Sequence, residues 1–198
     1  MSSRLCAQGE LARGRVSAEG IAASETDDEQ VLLRDGSCVV IRPLASGDAI
    51  AIDTWFAGLG PETRYARFLA RVKWLDSRTR SELAHVDHRD HEAITAVAPD
   101  GTTIGIARYL RVPQPGEAEV AVAVADRWRG RGIASLLLRR IAVRARAADI
   151  HTFVALCLVS NDAILRLLSR LGPSTIGPAS AGLVEVRIDL TGASQKAS

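Results

Sequence analysis

The sequence predicts a mixed α/β (α+β) domain whose central sheet of about six or seven strands is flanked by helices. Three observations carry that expectation. The hydrophobic period is helical over residues 46–84, alternates over residues 91–125, and then switches between helical and continuous apolar runs. Turn signals, Asp35-Gly36 and Pro99-Asp100-Gly101, sit between apolar segments where hairpins need them. A chain of 198 residues, 47% of them hydrophobic, suffices for one sizeable core but not comfortably for two.

The elements follow in chain order. Residues 1–30, rich in Ala, Gly, Ser and Glu and without a sustained period, read as a flexible leader, and residues 192–198 as a similar tail, leaving 31–191 as the domain. VLLRDGSCVVIRPL predicts a hairpin over 31–43 whose second strand ends at Pro43. Ser46 or Asp48 can cap a helix running to about Gly58, and Pro61 opens PETRYARFLARV, with Tyr65, Phe68, Leu69 and Val72 at helical spacing. SRTRSELAHV fits a third, short helix. Two strands then flank the PDG turn in HEAITAVAPDGTTIGIARYLRV, and EAEVAVAVAD alternates as another. In RGIASLLLRRIAVRARAAD, Ala134, Leu137, Leu138, Ile141, Ala145 and Ala148 form one helical stripe, with Arg139, Arg140, Arg144 and Arg146 on the wet face. HTFVALCLVS is an apolar run of strand length, as in a strand covered on both faces. NDAILRLLSRLG is amphipathic with Gly172 as its stop, and GLVEVRIDL closes the domain as a strand.

Composition narrows the function classes. With 25 basic and 23 acidic residues, net +2, the chain has no broad field for nucleic acid, though a local anion site is open to it. Cys6, Cys38 and Cys157 are far apart and lack CxxC spacing, so neither a disulfide framework nor a zinc site is expected. His85, His88 and His91 in HVDHRDH sit in a polar segment leading into a strand and read as solvated or structural residues, not a metal site. Trp55, Tyr65, Phe68 and Trp74 lie on helical patterns and read as core and rim, not a base-stacking platform. No stretch has signal-peptide or membrane-span character, and the expected location is the cytoplasm.

The chemistry points to DRWRGRGIAS, residues 126–135, which joins a strand to a helix. Free backbone N–H groups and the positive end of a helix dipole converge at such a corner. Gly130 and Gly132 let an anion approach the backbone, and Arg129 and Arg131 add positive charge at the rim. A dinucleotide fold fits poorly: Gly130-x-Gly132-x-x-Ser135 departs from GxGxxG, and Asp149 precedes the next strand where an acid should close it. A P-loop would need GK[ST], which is absent.

Arg129-Gly130-Arg131-Gly132-Ile133-Ala134 resembles the [Q/R]xxGx[G/A] motif of the GNAT superfamily of acetyltransferases, and the order strand, loop, helix, strand, Asn161, helix is that family's. The resemblance covers residues 31–190, including Ile41-Arg42-Pro43-Leu44 and Asp48. More narrowly, PETRYARF, VDHRDHEAITAV, AEVAVAVAD and NDAILRLLSRLG resemble the catalytic domain of bacterial protein lysine acetyltransferases that act on acyl-CoA synthetases. The resemblance implies acetyl-CoA as co-substrate and no metal. Its pyrophosphate would lie on the backbone amides of Gly130, Arg131, Gly132, Ile133, Ala134 and Ser135, and its amide arm would pair like a strand with Val122, Ala123 and Val124. Asn161 matches the family's cofactor-contacting asparagine, and a helix N-cap is an equally good use of it. Transfer to an amine needs a base for the ammonium proton, since a lysine titrates near 10.4. Glu119 matches the family's general base, and burial among Ala121, Ala123 and Ala125 is expected to raise its pKa; Glu117 is the competing carboxylate on the same face. A backbone N–H near Val124 is the expected donor to the thioester oxygen. The acceptor is a protein lysine, with an acyl-CoA synthetase as one partner, or alternatively a small amine; a non-catalytic acyl-CoA sensor is the reading outside enzymes. Two positions depart from the family: Leu168 stands where many members have a tyrosine acid, and Gly172-Pro173 where Gly-Phe is usual.

Overall fold

The structure, a computed structural model, describes residues 28–192; residues 1–27 of the expected leader (1–30) and 193–198 of the expected tail (192–198) lie outside the described residues, while Glu29 and Gln30 of that leader belong to the first strand, where they pair with Ile41 and Val40. Eight strands form one mixed sheet in the order β1-β2-β3-β4-β5-β6-β8-β7. The strands are β1 Glu29–Leu32, β2 Cys38–Pro43, β3 His91–Val97, β4 Thr103–Arg111, β5 Glu117–Val124, β6 Thr152–Leu158, β7 Ser174–Ile176 and β8 Leu183–Asp189. Five helices accompany them: α1 Ala49–Ala57, α2 Pro61–Phe68, α3 Ser77–Ala84, α4 Ile133–Ala147 and α5 Asp162–Leu168.

Each face of the sheet has its own core. On one, the α4 stripe of Leu137, Leu138, Ile141 and Ala145 packs against Ile94, Ala107, Tyr109, Val120 and Phe153. On the other, Leu44, Ile52, Trp55, Phe56 and Leu83 from the α1–α3 layer cover Ala93, Ile106 and Ala123. Removing this apolar surface from water, at about 25 cal/mol per Å², is the dominant force holding the layers together. The β4–α4 contact is close because position 105 is glycine: a Cβ there would stand 3.1 Å from Leu137 Cδ1 and 3.3 Å from Ile133 Cγ2.

Local chemistry explains where elements start and stop. Asp48 caps α1, accepting from Ala51 N at 2.9 Å, while Ser46 instead faces Val86 N at 3.5 Å. Asp76 caps α3, accepting from Thr79 N at 2.7 Å. The helix expected over PETRYARFLARV ends at Phe68, because Leu69 turns left-handed (φ 53°) while its N–H still reaches Tyr65 O at 2.8 Å. The sheet has one strand beyond the expected range. That strand, β7, is only three residues long and bounded by Pro173, so it carries no periodic signal, yet it pairs antiparallel with β8 from Ser174↔Ile188 to Ile176↔Val186.

One irregularity prepares a site. All neighbouring strands run antiparallel except β5 and β6, which are parallel and in register only from Glu117↔Thr152 to Glu119↔Val154. Beyond that point β5 stays with β4 as far as Val124↔Gly105, and β6 stays with β8 as far as Leu158↔Leu183. The two halves of the sheet therefore part in a V.

Candidate active site

The V exposes backbone that would otherwise be paired. Ala125 N donates to Ile104 O at 2.7 Å and Glu117 O accepts from Val112 N at 3.2 Å, so the odd-numbered residues of β5 direct their polar groups toward β4. Alternation along a strand then sends the N–H and C=O groups of Val122 and Val124 toward β6, where the ladder has ended. Ala123, expected to share that role, has its backbone turned to β4, and its carbonyl also accepts from Trp55 Nε1 at 3.1 Å. It contributes a small side chain to the wall instead.

At the mouth of the V lies the loop between β5 and α4. Gly130 (φ 76°) and Gly132 (φ 88°) both adopt left-handed backbone, and a Cβ on either would project into open space. The first intrahelical bond of α4 runs from Leu136 N to Gly132 O at 3.0 Å, and no side chain caps the helix start. Among the described residues, the amides from Gly130 to Ser135 have no backbone acceptor. Six N–H groups at the positive end of a 15-residue helix make an anion cradle.

Asp126 fixes the loop to the α1–α2 corner. Its carboxylate accepts from Gly60 N at 3.2 Å and Thr63 Oγ1 at 2.6 Å, while its own N–H donates to Gly58 O at 3.0 Å. A Cβ at position 58 would come within 2.8 Å of Ala125 Cβ, so glycine there permits the approach.

Together these elements enclose a groove of ≈ 550 Å³ running from the loop into the V. Val122, Ala123, Val124, Arg129, Gly130, Gly132, Ile133, Ala134, Ser135 and Asn161 all line it. Arg131 does not: its guanidinium stacks on Trp128 at 4.6 Å and pairs with Asp35 of the β1–β2 turn at 2.8 Å. It braces the loop from outside. Asn161 caps α5, accepting from Ile164 N at 3.3 Å, while also lining the groove, so its two expected uses are compatible. Leu168 is buried at the groove's inner wall. Cys157 is buried beside it, and desolvation pushes its thiol up to about 11, which leaves it a neutral hydrophobe.

A second recess of ≈ 630 Å³ adjoins the first; Arg67 and Ala121 line both. Glu119 lines this recess, with Arg67, Phe68, His91, Arg108 and Leu110 among its neighbours. The expected burial of Glu119 among alanines does not occur: the residue is exposed, because it faces the open recess. Glu117 is committed elsewhere, paired with Arg187 of β8, and does not line the recess.

Two residues of this recess were not anticipated from sequence. Burial pushes both Arg67 and Arg108 down to about 10, opposed in each case by the nearby charge of Glu119. A signal existed for Arg108: it interrupts the apolar face Ile106, Arg108, Leu110 of an otherwise regular strand. The histidines do not converge on a metal. His88 Nδ1 meets the buried Glu92 at 2.9 Å and His91 contacts Arg108; among the described residues no three His, Cys, Asp or Glu side chains are placed to hold an ion.

Comparison with known proteins matches this arrangement. The profile of the Acetyltransferase (GNAT) family fits residues 54–172, more than half of the chain. The acetyltransferase PA5475 of Pseudomonas aeruginosa is 31% identical over 158 residues, which cover 78% of this chain and 85% of that protein. The acetyltransferase Pat of Mycolicibacterium smegmatis is 31% identical over 81% of this chain, which spans only 48% of that longer protein. Among solved structures, the GNAT domain of S. lividans PAT superposes with a TM-score of 0.75 at 31% identity, covering 82% of this chain and 97% of that domain.

Proposed function

Because this chain belongs to the GNAT acetyltransferase family, we propose that it transfers the acetyl group of acetyl-CoA to a protein lysine, with Glu119 as the base. Three features support a fit to the donor: an amide cradle for a diphosphate, a strand edge for an amide-bearing arm, and a wall of Arg67 and Ala121 shared with the recess that holds Glu119. The observation that carries the reading is the V between β5 and β6, which leaves Val122 and Val124, still paired with β4 on one side, without partners on the β6 side beyond Glu119.

Acetyl-CoA supplies, when bound, a thioester carbonyl open to attack by an amine. The amides of Gly130 to Ser135 hold the diphosphate, and Arg129 adds charge at the rim. Val122 and Val124 take the arm as an added strand, and the Val124 N–H donates to the carbonyl oxygen as negative charge builds there. Glu119 accepts the proton of the incoming ammonium from the adjoining recess, which makes the amine a nucleophile. Leu168 keeps water from the inner end of the groove; a thiolate with a pKa of about 8 to 9 leaves without a tyrosine acid there.

A protein acceptor is supported by the breadth of the second recess, by the exposed Tyr65 and Trp74 of the α2–α3 segment, and by likeness to the PAT domain. Incubation with labelled acetyl-CoA and a panel of acyl-CoA synthetases and small amines tests the reading. Label on a lysine of a synthetase supports it; label confined to small amines, or on nothing, removes it.

A further inference from the structure

The recess beside Glu119 is lined by two arginines and two carboxylates, but one of those carboxylates, Glu82, is paired with Arg78, which does not line the recess. Arg67 of α2 and Arg108 of β4 both line it, and among the described residues no carboxylate lies within ion-pair distance of either guanidinium. Arg108 donates to Leu83 O and Glu82 O, each at 3.3 Å, and contacts His91. Glu82, the recess's other carboxylate, is already paired with Arg78 at 2.8 Å. Glu119 is thus the single carboxylate in the lining with no ion-pair partner, and it faces two cations.

This balance has a consequence for the acceptor. A lysine side chain brings one ammonium, which Glu119 can receive. A polyamine brings two or three, and each additional charge must sit where the nearest unneutralised groups are guanidinium ions. At separations of several ångströms and an effective dielectric constant of about 20, one such repulsion lowers binding roughly tenfold or more.

We propose that Arg67 and Arg108 are specificity-determining residues that restrict the acceptor to an amine presenting a single positive charge, and so turn polyamines away. The inference deepens the reading of the recess as the acceptor site and rests on it. Both arginines stand at the place where selection has the most effect: Arg67 borders the groove and the recess together, and Arg108 lies on the strand next to Glu119, two residues from Leu110, the register partner of Glu119, and so on the same face.

The experiment compares kcat/KM for an end-blocked single-lysine peptide with that for spermidine, in the unmodified protein and in Arg67→Lys, Arg67→Glu and Arg108→Gln. The unmodified protein should favour the peptide strongly. Arg67→Glu should raise the spermidine value itself by roughly tenfold, a gain that damage to the fold cannot produce. Arg67→Lys, which keeps the charge, should leave the ratio near its starting value. Raising salt from about 0.02 to 0.5 M should narrow the ratio in the unmodified protein, because screening weakens the repulsion; this measurement decides even if Arg67→Glu does not fold. A peptide-to-spermidine ratio that stays constant across variants and salt, with the peptide still acetylated, overturns the inference alone. Spermidine acetylated by the unmodified protein at least as well as the peptide overturns it together with the protein-lysine reading.

Discussion

In the proposed reaction Glu119 and Gly132 are the two residues on which the chemistry turns, each for a reason visible at the level of one side chain. Glu119 stands at the open recess with its neighbour Glu117 already held by Arg187, so only one of the two carboxylates is available. Glu119→Gln should lower kcat/KM by roughly 10²–10⁴, the usual worth of a positioned base, while leaving acetyl-CoA binding intact by calorimetry. Full turnover in that variant would move the base elsewhere. Gly132 matters for what it lacks. Its backbone is left-handed (φ 88°), a Cβ there would meet open space, and the residue lines the groove at the amide cradle, where a bulky side chain competes with the diphosphate. In Gly132→Trp, the rise in melting temperature given by acetyl-CoA should vanish, where the unmodified protein at 100 times Kd gains about 2.7 kcal/mol. The ligand-induced shift, rather than the melting temperature itself, is the quantity to compare, since a tryptophan at positive φ is strained with or without ligand.

Elements position these residues through a few polar contacts. The α1–α2 corner is tied to the β5–α4 loop by Asp126, whose carboxylate serves Gly60 N and Thr63 Oγ1 at once. Removing it in Asp126→Ala should cost about 1–2 kcal/mol in a urea titration, the sum expected for two modest hydrogen bonds. The same variant should weaken acetyl-CoA binding, because the cradle's entry would no longer be braced; a loss of stability with unchanged binding would show that the tie serves the fold alone. Arg131 does related work from the opposite side, joining the loop to Asp35. Its charge was legible in the sequence, but its direction was not, since its partner lies on the β1–β2 turn.

Across the molecule, the two cores give a continuous scaffold, and the pH dependence of stability has an identifiable contributor in the recess. Desolvation, aided by the Arg108 charge, holds His91 down at about 4, against 6.5 when free. The unfolded chain therefore binds this proton more readily between those values, and folding stability rises with pH there. The contribution of His91 should be complete above about 6.5 and lost as pH falls toward 4. His91→Gln should flatten that part of the stability profile, measured by urea midpoints from pH 4 to 7; an unchanged slope would assign the effect to other groups. No helix among the described residues is long and apolar enough to cross a membrane.

What the sequence by itself determined was local: the periods of α1, α4 and α5, the Asp35-Gly36 and Pro99-Asp100-Gly101 turns, the alternation of β5, and the glycine loop, whose order identified the family's fold. These are properties of neighbouring residues, and neighbours suffice to set a helix stripe, a turn or a cap. Only the tertiary structure decided that β5 and β6 part after Glu119↔Val154, that Ala123 turns its backbone to β4 while Val122 and Val124 face the V, and that Arg67 and Arg108 meet beside Glu119. Each of those depends on which strand keeps which partner and on charges far apart in the chain, and a pairing between distant segments leaves no mark in the spacing of residues along either one.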